Sequence, residues 1–151
     1  MSIKITVHIT HTAPKMILLT AMIVFLLTSS AVAGGAPEAS EIIRIEWKWQ
    51  QTLYNNDTEV VPDDPDRYTV TFGPDGKIHL RADCNRGGGR YSVDGKNIII
   101  ELAHTTRAMC PPDSLEQTFI KNLNAARIYF LQQGNLYLDL KYDTGTMKFG
   151  D

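Results

Sequence analysis

From Ile43 onward, apolar and polar residues trade places in short runs. Ile43, Ile45, Trp47 and Trp49 face one way and Arg44, Glu46, Lys48 and Gln50 the other, the period-two pattern of a strand buried on one face. Asn55 to Asp66 is polar and holds Pro62 and Pro65, which predicts a surface loop. Tyr68, Val70 and Phe72 start a second alternating run that stops at Gly73-Pro74-Asp75-Gly76, a turn in which Pro fixes one φ and Gly allows a positive one. The return strand carries Ile78, Leu80 and Ala82 inward and His79, Arg81 and Asp83 outward. Beyond Gly87-Gly88-Gly89, Tyr91 and Val93 lead into Asp94-Gly95, a hairpin signal, and Ile98, Ile100 and Leu102 follow it.

A period of 3.6 residues occurs once. After Pro111-Pro112, Asp113 or Ser114 is placed to cap a helix with Glu116 or Gln117 as the return half of a capping box. Leu115, Phe119, Ile120 and Leu123 then form its apolar stripe. Strand-like runs resume at Ile128 to Leu131, turn at Gly134-Asn135, continue through Leu136, Leu138 and Leu140, and end at Met147 and Phe149 behind Asp143-Thr144-Gly145. The expected fold class is α+β, mostly β: a curved antiparallel sheet or cracked β-barrel with one packed α-helix, curling so that its edges are hidden.

The first 33 residues obey neither period. Lys4 and Lys15 precede the uncharged run Met16 to Leu27, and Ala31-Val32-Ala33 supplies small residues at an A-x-A site. This is the layout of a signal peptide cut after Ala33. Its apolar core falls short of the roughly 20 residues that span a bilayer, although an uncleaved anchor and a start at Met16 remain alternatives. No cysteine follows the core, so no lipid attachment or stable membrane anchor is expected after cleavage. Residues 34–42 are expected to be a flexible lead-in, residues 43–150 one domain, and the location periplasmic or secreted. The leader holds two of the 15 basic residues and none of the 17 acidic ones. The remainder is therefore acidic, which argues against nucleic acid as a partner.

Export alters the reading of the only two cysteines, Cys84 and Cys110. Outside the reducing interior they are expected to pair, restraining the unfolded chain by roughly 3–4 kcal/mol on the chain-entropy account. Two buried thiols, or a metal site with His79 or His104, are the competing readings.

The stretches Arg81-Ala-Asp-Cys-Asn-Arg-Gly-Gly-Gly-Arg-Tyr91 and Thr105-Thr-Arg-Ala-Met-Cys-Pro-Pro112 resemble the META domain family, the HslJ-like proteins of bacterial envelopes. Trp47-Lys-Trp-Gln-Gln-Thr52, Arg67 to Phe72, Pro74-Asp-Gly76, Gly89-Arg-Tyr91, Asp94-Gly95, Ser114-Leu115, Leu136 to Leu140 and Gly145 to Phe149 fall in the same order. The resemblance spans about residues 43–150. It implies a curved antiparallel barrel around one helix, in proteins linked to heat shock and envelope stress and without an established enzymatic activity. Members with a lipobox are tethered to a membrane; this chain lacks that cysteine.

Candidate chemistry is sparse. Gly87 to Gly89 lacks the Gly-Lys-Ser/Thr ending of a phosphate loop and reads as a loop or bulge. Asp63, Asp64 and Asp66 lack calcium-loop spacing. Cys84 or Ser92 with His79 or His104 carries no nucleophile motif, and the cysteines are not in C-x-x-C spacing. Trp47, Trp49, Tyr68, Phe72 and Phe119 read as core. No catalytic residue, cofactor or metal is expected. A Cys84–Cys110 bridge would gather Asp83, Asn85, Arg86, Arg90, Thr105, Thr106 and Arg107, a cluster able to receive an anionic or peptide ligand. The competing reading has Asn85 and Thr106 satisfying loop backbone while the arginines stay hydrated. The expected function is a non-enzymatic, monomeric exported protein that binds an envelope protein or small ligand. A ligand-binding barrel and a cryptic hydrolase or redox enzyme are the alternatives.

Overall fold

A computed structural model describes residues 39–151; the expected signal peptide and most of the lead-in lie outside them. Ile42, at the end of the segment expected to be a lead-in, is fully buried, and its carbonyl accepts the Trp47 Nε1–H at 3.0 Å. Arg44, at φ 65°, breaks the alternation that runs through Ile43 and Ile45. The first strand therefore starts later than the pattern suggests.

Nine strands follow: β1 (Glu46–Tyr54), β2 (Glu59–Val60), β3 (Tyr68–Phe72), β4 (Lys77–Ala82), β5 (Asn85–Asp94), β6 (Asn97–Thr105), β7 (Ala126–Gln132), β8 (Asn135–Leu140) and β9 (Gly145–Gly150). The helix α1 (Glu116–Ala125) stands between β6 and β7. All strand pairings are antiparallel, and β9 pairs back onto β1, so the curved sheet closes in a ring with β2 attached outside it along β1. The seam is β6 to β7, joined at Asn97 and Ile128. The span from Asn55 to Asp66 is less irregular than expected, since it holds β2 and the start of a short 3-10 helix, Pro65–Arg67.

Alternation places Trp47, Trp49, Val70, Phe72, Ile78, Leu80, Ile98, Ile100, Leu136, Leu138, Met147 and Phe149 inside. Phe119 of α1 completes the filling, with ring centroids 5.3 Å from Trp49, 5.7 Å from Tyr68 and 6.3 Å from Phe149. Gln50 is an extra residue in the β1–β9 ladder. That bulge turns both Trp49 and Thr52 inward, where Trp49 Nε1–H donates to Thr52 Oγ1 at 3.1 Å. Asn122 of α1 is also buried and donates to Tyr54 Oη at 2.7 Å and Thr52 Oγ1 at 3.4 Å. The helix is thus held to β1 by satisfied buried polar groups as well as by Phe119.

The expected capping box does not form. Ser114 Oγ accepts the Glu116 N–H at 3.2 Å, but the Glu116 side chain turns away to Asn85. The turn between β7 and β8 sits one residue earlier than expected, at Gln133 and Gly134, whose φ values are 53° and 76°. Two left-handed residues in a two-residue loop match the twist of the hairpin strands.

Gly87 to Gly89 forms strand rather than loop, with a bulge between Gly88 and Gly89 that leaves Ala103 of β6 as the extra residue. A Cβ on Gly89 would stand 2.0 Å from Glu101 O and 2.8 Å from Leu102 Cα. Only a residue without a side chain lets β5 and β6 approach this closely. Gly89→Ala is expected to cost about 1–3 kcal/mol in urea unfolding. Gly95→Asn, at a turn where an added Cβ meets nothing within 4 Å, should shift stability by less than about 0.5 kcal/mol. Equal stability of Gly89→Ala and the parent would refute the close-approach account.

Candidate functional site

The reversal between β4 and β5 is two residues, Asp83 and Cys84, with Asp83 at φ 59°. Cys84 is bonded to Cys110, with Cα atoms 5.5 Å apart. The bridge ties this hairpin end to the segment that leads from β6 to α1, so the paired-cysteine expectation holds among the described residues.

Asn85 is the hub beside it, 1% exposed. Its Nδ2 donates to Ala108 O and Glu116 Oε1, each at 3.0 Å, and lies 3.3 Å from Cys110 Sγ. Its Oδ1 accepts from Thr106 Oγ1 at 2.7 Å and from the Ala108 N–H at 2.8 Å. Thr106 Oγ1 in turn accepts the Arg86 N–H at 3.0 Å. One side chain therefore organises the connection by pairing both main-chain groups of Ala108. A side chain so fully occupied has little capacity left for a ligand.

Asp83 is equally buried and forms an ion pair through Oδ1 with Arg67, while Oδ2 has no partner among the described residues. That hydrogen bond, opposed by partial burial, holds the Arg67 guanidinium above its ordinary range. Tyr68 Oη accepts the Leu115 N–H at 2.9 Å and so fixes the entry to the helix. The sequence pattern gives Tyr68 to the core and Glu116 to a helix cap and points to none of Arg67, Tyr68 and Glu116 at this site. Their signal is tertiary, because Asn85 and Glu116 are 31 residues apart in the chain.

Of the expected cluster, Asp83, Asn85 and Thr106 gather beside the Cys84–Cys110 bridge. Arg86 contributes only its main chain and its side chain is exposed on the outer face of the sheet. Thr105 pairs with Gly87 in the ladder, and Arg90 lies farther along β5, between Lys77 and Glu101. Arg107 is exposed. The residues split between a saturated structural network and separate surface positions.

The nucleophile candidates are also apart. Cys84 is in the disulfide, and His79 and His104 both stand in register with Gly88, on either side of it. Ser92 is four positions along the same strand, about 13 Å away at strand rise. Among the described residues no group of three His, Cys, Asp or Glu side chains is arranged to hold a metal ion, and no helix is long and apolar enough to cross a membrane. Several surface hollows lie among the described residues. One of about 630 Å³ lies by Ile128, Leu140 and Tyr142, away from the disulfide, and one of about 360 Å³ is lined by His104, Thr105 and Arg107. Another, about 310 Å³, lies on the outer face of β3, β4 and β5.

The META domain family model matches residues 40–150. A DUF4847 family protein from Bacteroides vulgatus has a similar structure, with a TM-score of 0.53 at 15% identity over 72% of this chain and 93% of that one. A protein from Burkholderia xenovorans gives 0.59 at 20% identity over 74% and 83%. At these identities the likeness concerns the fold. No curated protein matches the chain.

Asn85→Ala is expected to destabilise by about 1–3 kcal/mol, since it removes a buried side chain with all of its hydrogen bonds, whereas Arg90→Ala should stay within about 0.5 kcal/mol. Cys84→Ser paired with Cys110→Ser should lower stability by about 3 kcal/mol under oxidising conditions, and reductant should erase the difference from the parent. Chemical denaturation checks each value; parity of Asn85→Ala with Arg90→Ala would remove the hub role.

Proposed function

We propose that this chain, which belongs to the META domain family, is an exported, non-enzymatic protein of the HslJ-like kind, contributing to envelope stress tolerance by binding at its surface as a monomer. The Cys84–Cys110 bridge carries this reading. A disulfide persists in compartments outside the reducing interior, and the chain's opening residues have the composition of a cleavable leader. Binding at the surface is favoured because the ring interior is occupied by Trp49, Phe72, Phe119, Tyr129 and Phe149, all fully buried. A carrier needs that space for cargo. An enzyme reading would need a nucleophile within reach of a base, and the candidates Ser92, His79 and His104 do not meet this requirement.

Two measurements test the proposal. Intact-mass analysis of natively sourced protein should find the chain beginning at Gly34, with no thiol open to alkylation until reductant is added. A retained leader or two reactive thiols would sink the export reading. Capture from envelope extract with the disulfide-bonded protein should recover a reproducible partner whose yield falls when reductant is present. Recovery of nothing reproducible would count against the binding role.

A further inference from the structure

The outer face of the sheet at β3, β4 and β5 carries an uncompensated arginine pair. Arg81 of β4 and Arg86 of β5 are directly opposite in the ladder. Like charges at that position repel. No carboxylate lies within ion-pair distance of either guanidinium among the described residues. The nearby Asp66 carboxylate is taken by Lys48, at 3.1 Å. Arg67, by contrast, is already neutralised by Asp83.

Arg81 is also held in place. Its Nε donates to Asp83 O at 3.1 Å and its Nη1 to Asp66 O at 3.2 Å. Both acceptors are main-chain carbonyls, so they orient the guanidinium without cancelling its charge. Thr69 of β3 is opposite Arg81, and Thr71 is opposite His79. All four line the same groove of about 310 Å³ with Arg86, Thr69 being buried. Two carboxylates share the wall, Asp66, which is paired with Lys48, and Glu46, opposite Thr71 in the ladder, which leaves the arginines in excess by one charge. Neither threonine hydroxyl is engaged in a hydrogen bond with another described residue. Gly88, between His79 and His104 in the ladder, adds no side chain to this surface.

We propose that this groove binds the phosphoryl group of a phosphate ester. The proposal rests on the surface-binding reading and gives it a ligand class. Two guanidinium groups, two hydroxyls and an imidazole offer more donors than the two oxygens of a carboxylate use, and they suit the three free oxygens of a phosphoryl group. The groove exceeds the size of inorganic phosphate, which leaves room for the organic part of the ester beside the threonines. An anion between Arg81 and Arg86 converts a repulsive pair into two charge-assisted contacts, and the fixed position of Arg81 lowers the ordering cost.

The test uses ¹⁵N-labelled, disulfide-bonded protein titrated with inorganic phosphate and with glycerol phosphate, against chloride at matched ionic strength. In parallel, sedimentation is followed with phosphatidylcholine vesicles with and without phosphatidylglycerol. The expected result is saturable shifts centred on the amides of Thr69, Thr71, Arg81 and Arg86, and an affinity about tenfold lower in Arg86→Gln. Binding of the soluble phosphates identifies a free ester as the source. Saturable binding only to anionic vesicles, lost in Arg86→Gln, identifies a lipid headgroup. Shifts that chloride reproduces, shifts scattered over the surface, or binding unchanged in Arg86→Gln overturn the site. If envelope capture by Arg86→Gln equals that of the parent while phosphate binding is absent, the groove fails and the surface-binding role stands.

Discussion

The pairing of β9 with β1 is the constraint on which the remaining structure depends. It joins the last strand to the first and converts an open sheet into a ring, so the edge of β1 facing β9 is paired rather than exposed. Closure demands curvature and an interior of fixed volume. The curvature comes with extra residues at Gln50, Ala103 and Arg127 and with the close approach that Gly89 permits. The volume is filled by large side chains from several strands and by Phe119, delivered by the helix.

Closure also sets what the polar residues can do. The helix that supplies Phe119 is reached through the ten-residue connection after β6 (106–115), whose main-chain groups need partners. The Asn85 side chain provides them at Ala108, and the disulfide anchors the connection to the β4–β5 reversal. The polar side chains nearest the cysteines are consequently spent on structure. Capacity for recognition is left on the outer face, where Arg81 and Arg86 meet across a ladder with no acidic partner.

Much of the sheet was legible because each strand obeys a local rule. Burial in β4, β8 and β9 follows the alternation closely, while β3 departs from it at the buried Thr69, and the Phe119 and Leu123 stripe announces the helix. Departures occur where a long-range demand overrides a local preference. Glu116 leaves its capping position to meet Asn85. Ile43 and Ile45 read as strand, but the turn at Arg44 brings Arg44 N–H to Phe72 O at 2.9 Å instead. The triple glycine reads locally as a loop or bulge; it is strand because it pairs with both β4 and β6, with the bulge at Gly88 and Gly89.

By itself the sequence determined the α+β composition, the inward residues of most strands, the single helix and the cysteine pair, because periodicity and pair counting are properties of the chain alone. Only the tertiary structure decided that the sheet closes, that Asn85 is saturated, and that Arg86 separates from the disulfide to face Arg81. The reason is geometric: ring closure and strand register bring together residues that are remote in sequence, and the hydrogen bonds and charges available at a site follow from that meeting.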